Sequence, residues 1–245
     1  MSEESRWQVI RDKIVQLLEG HGFECYPFKI GWYNEVVQER FALDYPYDTL
    51  AFIVISTPSM FDKAFKPFLR SCQLPLLRDP IDECMQHYFQ LAKQTLGPEA
   101  NDMVVMHDYE LHHNHRPKVL VQTAGHVAGA VNFIQRSHLK ADPFPKDKSI
   151  FPVALHPKYG GWFALRAVFI LPKVTCEDLP RATPPDILSE EQKVEVLEHF
   201  NGDWRDAKFR DVGHPVERYS AEQLQYFNTP PGERNEMIEK LKSSS

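Results

Sequence analysis

The stretch from Arg116 to Arg166 constrains the fold of this 245-residue chain more than any other. It reads Arg116-Pro-Lys-Val119-Leu120-Val121-Gln122-Thr-Ala124-Gly125-His126-Val-Ala128-Gly129-Ala130, and later His156-Pro-Lys-Tyr-Gly160-Gly161-Trp162-Phe-Ala-Leu165-Arg166. Ala124, Gly125, Ala128, Gly129 and Ala130 carry almost no side-chain volume, so a bulky group can approach the backbone there. The pattern predicts a strand over 118–122 and a helix over 125–136 with a small-residue face, from which the imidazole of His126 projects. A large planar ligand is the expected occupant of that face. The second segment is a glycine turn between apolar runs, and it predicts an antiparallel hairpin of 151–155 with 162–171.

Elsewhere the periodicity is clearer. Trp7, Ile10, Ile14 and Leu17 recur at helical spacing, so residues 5–19 are expected to form an amphipathic helix. Residues 23–30, 50–55 and 103–111 read as strands. A helix is expected over 59–71, strained or broken at Pro67, and another from Asp79-Pro80 to about Thr95. Residues 172–188 hold four prolines and no apolar period, and read as a crossing loop. Ser189-Glu-Glu-Gln192 and Ser220-Ala-Glu-Gln223 are capping-box signatures, and Pro231 opens a last helix. Helices before, among and after strands give an α+β class. The expected organisation is one domain over residues 1–242, capped by helices from about 188, with 243–245 frayed.

Composition excludes several function classes. The net charge is −6 with no long basic block, which argues against a nucleic-acid footprint. The first residues, Met1-Ser-Glu-Glu-Ser-Arg6, are acidic where a signal peptide is basic, and no apolar run approaches a membrane span, so a cytoplasmic protein is expected. The four cysteines, Cys25, Cys72, Cys84 and Cys176, form no CxxC pair and read as buried thiols. His107, His112, His113 and His115 crowd into nine residues but lack any metal-site spacing, so they read as a solvated polar loop and no protein metal ligand is expected.

A dozen short segments in order carry a family resemblance. They include Cys25-Tyr-Pro-Phe28, Trp32-Tyr-Asn-Glu35, Leu50-Ala-Phe52, Ser56-Thr-Pro58, Met60-Phe-Asp62, Lys66-Pro-Phe-Leu69 and Asp108-Tyr-Glu110. Trp204-Arg-Asp206, Arg210-Asp211, Glu217-Arg-Tyr-Ser220 and Thr229-Pro-Pro231 followed by Arg234 continue the likeness. Over roughly residues 7–235 the chain resembles the CblC-type cobalamin-processing proteins, the cyanocobalamin decyanases and alkylcobalamin dealkylases of animal cells. The resemblance implies a fold similar to the flavin-dependent nitroreductases. It also implies base-off cobalamin binding, glutathione-dependent dealkylation and reductive decyanation, with FMN or FAD as reductant. A cobalamin-trafficking adaptor and methionine synthase are the implied partners. A non-catalytic cobalamin carrier and a flavin reductase without cobalamin specificity are the rival readings.

Residue by residue, the resemblance assigns cobalamin contacts to Asp108, Val119, Leu120, Val121, Gln122, His126, Gly129, Phe133, Ile134, Gln135, Ala154 and Leu165. Ala154 stands where relatives have cysteine. His126 invites comparison with the DxHxxG segment of other cobalamin proteins, but Ala124 occupies the aspartate position that would orient the imidazole. It is therefore kept as a binding residue, against the alternatives of a core histidine and a cobalt ligand. The implied glutathione site comprises Arg166, Arg210 and Arg234, whose guanidiniums suit a dicarboxylate and favour thiolate over thiol. Trp162 and Trp204 are expected to be packing aromatics.

Overall fold

In the computed structural model, which describes residues 5–72 and 79–243, the chain opens with α1 (Arg6–Glu19). Trp7, Ile10, Ile14 and Leu18 are its buried stripe, so the helical spacing is met with Leu18 in place of Leu17. β1 (Phe23–Lys29), α2 (Ile30–Asn34) and β2 (Thr49–Ser56) follow. All eight β2 residues are buried, which explains the unbroken apolar run at 50–55. β1 lies at the sheet edge, where Pro27 costs no shared ladder bond.

Pro67 shapes the next element. Residues Phe61–Phe65 form a wide turn in which the Lys66 N–H donates to the Phe61 carbonyl, and α3 (Lys66–Ser71) begins there. A regular helix would press the proline ring against the Lys63 carbonyl; the wide turn moves that carbonyl aside, where His21 Nδ1 approaches it at 3.5 Å. α4 (Pro80–Leu96) starts as expected, with the Asp79 carboxylate accepting from the Ile81 N–H at 2.9 Å. β3 (Val104–His107) is shorter than its expected strand, because the chain turns at 108–117, where His112 N–H donates to Arg116 O at 2.8 Å. His107 is buried in β3, whereas His112, His113 and His115 are exposed in that turn. Among the described residues no group of three or more His, Cys, Asp or Glu side chains could hold a metal ion.

The region from 118 to 136 departs from expectation. Lys118–Leu120 form no strand; the Leu120 N–H donates to the buried Tyr33 hydroxyl at 3.0 Å, and α5 (Val121–Val127) starts there. The helix then stops where it was expected to run on. Gly129 adopts φ +75°, its N–H donates to His126 O at 3.0 Å, and the Ala130 N–H donates to Gly125 O at 2.9 Å. That pair of bonds is a Schellman cap, which only a residue tolerant of positive φ can close. Past the cap the chain becomes β4 (Asn132–Ile134).

The expected hairpin of 151–155 with 162–171 is absent as well. β5 (Val153–Leu155) pairs with β4, while β6 (Ala164–Thr175) pairs with β2 and β3. The turn between them closes on itself through reciprocal His156–Gly160 backbone bonds of 2.8 Å, and the chain changes sheets across it. The main sheet has the order β1-β2-β6-β3 and is antiparallel throughout; β4 and β5 form a separate antiparallel pair. β6 also runs into the expected loop, reaching Thr175 past a register shift at Pro172.

α6 (Glu190–Asp203) has the full capping box at Ser189. α7 (Ala221–Asn228) is capped by Ser220, whose hydroxyl accepts from Gln223 N–H at 3.2 Å, and α8 (Asn235–Ser243) ends the described chain. α1–α5, α7, α8 and the main sheet enclose the principal core. A smaller cluster joins Ile134, Val153 and Leu155 of the two-stranded sheet to Val196 and Leu197 of α6 and to Phe209. The architecture is α+β, an antiparallel sheet flanked by helices.

Candidate functional site

Successive strand residues point to opposite faces, and the start of β6 makes this a dividing wall. Ala164 and Arg166 face a cavity of about 510 Å³. Leu165 faces the other way, and its Cδ2 lies 3.0 Å from where a Cβ on Gly125 of α5 would sit. The candidate residues thus fall into two groups, one on each side of this strand.

The cavity side is built from three pieces. Phe163, Ala164 and Arg166 come from the start of β6; Trp204, Arg205, Ala207 and Arg210 from two short 3-10 turns; Tyr219, Leu224, Phe227 and Asn228 from α7 and its approach. Ala207 joins the two turns at φ +62°, a left-handed conformation that sends Arg205 and Arg210 to the same wall. Among the described residues three arginines line the cavity and no Asp or Glu does. Such a wall selects an anion.

Two of these arginines are held by the protein. Arg166 Nε donates to Ser56 Oγ at 2.8 Å. Arg210 Nη1 donates to the Gly161 carbonyl, and the Gly161 N–H donates back to Arg210 O at 3.0 Å. Its guanidinium also lies over Phe209, Trp162 and Tyr219, at 5.0, 5.4 and 5.7 Å from the ring centres. Arg234 does not join this wall. It is buried, with Nε donating to Thr229 O at 2.8 Å, Nη1 reaching Asp79 Oδ2 at 3.3 Å, and its guanidinium over Tyr226. Trp162 is a packing aromatic, its Nε1 donating to Asp211 at 2.7 Å, but Trp204 is half-exposed at the cavity wall.

The turn that carries Gly161 is anchored below by a buried polar cluster. Tyr26 and Tyr159 hydroxyls each donate to Glu24 at 2.5 Å, and His156 Nε2 lies 2.9 Å from the Tyr26 hydroxyl and 3.5 Å from Glu24. His156 Nδ1 accepts from the Lys158 N–H at 3.1 Å, which leaves the proton on Nε2, facing the cluster. Burial alone would push the Glu24 carboxyl up; the bonds from His156, Tyr159 and Tyr26 outweigh it and hold it at about 2, against an ordinary 4.5. The folded-state value lies below the unfolded one, so this stabilisation is complete above about 4.5 and is lost as pH falls toward 2. Glu24→Gln is therefore expected to cost roughly 2 kcal/mol at pH 7. Melting curves of variant and wild type should draw together as pH falls from 4.5 toward 2; a constant gap across that range would remove the role given to the carboxylate.

On the opposite side, the small-residue patch is already filled by the protein. A Cβ on Gly125 would meet Val131 at 2.9 Å and Leu165 at 3.0 Å; one on Gly129 would meet Ala182 Cβ at 2.6 Å. Ala182 belongs to the segment 176–188, which crosses this face and is tied down by Asn132 Nδ2 donating to Pro185 O and by the 2.9 Å ion pair of Arg181 with Glu35. The space expected to be open for a ligand over Gly129 is occupied. His126 Nδ1 lies 3.2 Å from Val131 O and 3.5 Å from the Phe133 N, and Nε2 has no partner among the described residues. Val119, Val121 and Ile134 are buried, whereas Leu120, Phe133, Gln135 and Ala154 are half-buried and Gln122 is exposed. Phe133 pairs with Ala154 across β4 and β5. Asp108 is exposed beside the wall strand, its N–H donating to Arg166 O at 3.0 Å.

A profile of the family described as methylmalonic aciduria and homocystinuria type C matches residues 22–238. A Gallus gallus protein named cyanocobalamin reductase / alkylcobalamin dealkylase is 47% identical over 234 residues, covering 94% of this chain and 97% of that protein. A Homo sapiens protein of the same name is 46% identical over 226 residues, covering 92% and 79%. The crystal structure of a C. elegans B12-trafficking protein, CblC, superposes with a TM-score of 0.87 at 34% identity over 97% of each chain. The chain belongs to the methylmalonic aciduria and homocystinuria type C family.

Proposed function

We propose that this chain binds cobalamins base-off and removes the upper axial ligand, dealkylating alkylcobalamins with glutathione and decyanating cyanocobalamin. The observation that carries the reading is the cavity wall with three guanidiniums and no carboxylate, set back to back with the His126 face across β6. A cavity of about 510 Å³ suits a tripeptide but not a whole corrin with its nucleotide tail. The corrin accordingly lies over the start of β6, with the thiol on the Arg166 side. Its tail and amide fringe reach Gln122, His126, Phe133, Gln135 and Ala154, and Asp108 sits at the margin. The names of the Gallus gallus and Homo sapiens relatives support the substrate.

In dealkylation the glutathione thiolate attacks the cobalt-bound carbon. A sulfur–carbon bond forms, the cobalt–carbon bond breaks with both electrons left on cobalt, and cob(I)alamin and a thioether result. Withdrawal of the lower nucleotide eases acceptance of those electrons. The protein supplies orientation and field. None of the four cysteines lines the arginine-lined cavity, and burial pushes the Cys84 and Cys176 thiols up to about 12, so a co-substrate thiol in that cavity supplies the thiolate. Arg166 and Arg210 hold one of its carboxylates and stabilise the thiolate. Arg234 acts behind them by fixing the end of α7 to Asp79.

No strand-to-helix connection among the described residues carries a glycine-rich phosphate loop. FMN or FAD enters this reading only as an exchangeable reductant for decyanation. We read the helix-flanked antiparallel sheet as a nitroreductase-type core, and residues 1–242 as one unit capped from about 188. The reading also expects a cytoplasmic protein that passes cobalamin to a trafficking adaptor and to methionine synthase. Among the described residues no helix is long and apolar enough to cross a membrane.

The experiment mixes the apo-protein with methylcobalamin anaerobically, then adds glutathione and follows the absorbance spectrum. A base-off shift followed by cob(I)alamin is the expected sequence; a base-off shift with the methyl group retained would make the protein a carrier. Gly161 gives a structural check on the same reaction. A Cβ there would sit 2.8 Å from Arg210 Cα and Cγ, so Gly161→Ala must displace the arginine. A displacement near 1 Å is expected to lower the thiol-dependent rate on the order of 10²-fold while the base-off shift persists. Normal thiol kinetics in that variant would separate Arg210 from the chemistry.

A further inference from the structure

We infer that Arg205 determines which thiols the protein accepts, by gripping a second carboxylate; this rests on the thiol reading of the cavity. Of the three guanidiniums at the wall, Arg166 and Arg210 each have a donor committed to the protein, to Ser56 and to Gly161. The Arg205 guanidinium makes no hydrogen bond or ion pair among the described residues; only its backbone N–H is engaged, with Asp203 at 3.1 Å. It is held in place by one contact, 4.6 Å from the centre of the half-exposed Trp204 ring. An indole face presents the planar fork without using any of its donors, so all five remain for a ligand. The left-handed Ala207 places this fork on the same wall as Arg210 although the two lie five positions apart.

Two committed arginines can neutralise one carboxylate and a thiolate. A third, uncommitted guanidinium on a wall without acids has work only if the ligand brings a further negative group. Glutathione has carboxylates at both ends, whereas simpler thiols have one or none. Arg205 therefore separates a dicarboxylate thiol from a monocarboxylate or neutral one, through binding rather than through the chemical step.

The test uses the full chain and four probes. Binding of S-methylglutathione, a dicarboxylate without a reactive thiol, is measured by calorimetry. Demethylation of methylcobalamin is followed with glutathione, N-acetylcysteine and 2-mercaptoethanol. In Arg205→Ala the Kd for S-methylglutathione and the KM for glutathione should rise about 10- to 100-fold, with kcat at saturating glutathione within about twofold of wild type. N-acetylcysteine should lose less, the second-order rate with 2-mercaptoethanol should not change, and Arg205→Lys should recover part of the affinity. Unaltered S-methylglutathione affinity in Arg205→Ala overturns the assignment. So does an equal loss of rate with 2-mercaptoethanol, which marks a disturbed fold or cobalamin site. If glutathione does not saturate the wild-type protein, the thiol reading itself fails, and the role of Arg205 falls with it.

Discussion

Replacing Arg210 by alanine is expected to raise the glutathione concentration for half-maximal dealkylation about 10- to 150-fold, the equivalent of roughly 1.5–3 kcal/mol for a charge-assisted contact. The base-off shift should survive, because the guanidinium faces the cavity and the His126 face lies beyond the β6 wall. Decyanation by a reduced flavin should survive too, since it requires no bound thiolate. Arg210 also holds the Gly161 carbonyl and packs on three rings, so some thermal stability will be lost. Arg166→Ala gives up the Ser56 hydroxyl and a charge facing Asp82 and Asp108 but no ring stack, and is the cleaner companion. Loss of cobalamin binding in Arg210→Ala, with glutathione dependence unchanged in what remained, would reverse the assignment.

Arg234→Ala should behave differently from both. Its guanidinium is buried between Thr229, Asp79 and Tyr226, outside the cavity wall, so removal leaves Asp79 with its α4 cap alone and loosens α8 from α7. The expected cost is about 2–3 kcal/mol of stability, with a smaller rise in the KM for thiol that follows from the shifted end of α7. Melting curves and thiol saturation on the same three variants separate the two roles.

That split was not legible in the sequence, and the reason is physical. The three arginines read alike because the commitment of a guanidinium depends on groups far along the chain: Asp79 for Arg234, Ser56 for Arg166. Arg205 sits in a quoted segment, Trp204-Arg-Asp206, but nothing marked it, since the turn that presents it depends on an alanine at positive φ. Helices were legible where a local device sets them: Asp79-Pro80 for α4, Ser189 for α6, the apolar stripe of α1. Strand partners were not. The apolar runs beside Gly160-Gly161 suit a hairpin, yet their partners lie in different sheets, and pairing over such separations leaves no local mark. The Gly125–Gly129 spacing fits a small-residue helix face and a helix C-cap equally well, and only the bonds from Gly129 and Ala130 decide for the cap.

The cap turns Gly129→Val into a decisive substitution. Read as an open patch, that glycine predicts a stable variant that has lost cobalamin. The structure predicts the opposite order of effects. Valine would have to hold φ near +75° and place its Cβ 2.6 Å from that of Ala182. Left-handed strain in a β-branched residue and the forced shift of the 176–188 segment together should cost about 2–4 kcal/mol in the apo-protein. Cobalamin affinity should fall only as far as that disturbance carries. Gly129→Ala should cost less, and combining it with Ala182→Gly should recover the contact part while leaving about 1–2 kcal/mol of backbone strain. Urea unfolding of the apo-proteins measures the first quantity and the base-off titration the second. A Gly129→Val protein as stable as wild type, with no base-off shift, would hand the space above this glycine back to the ligand.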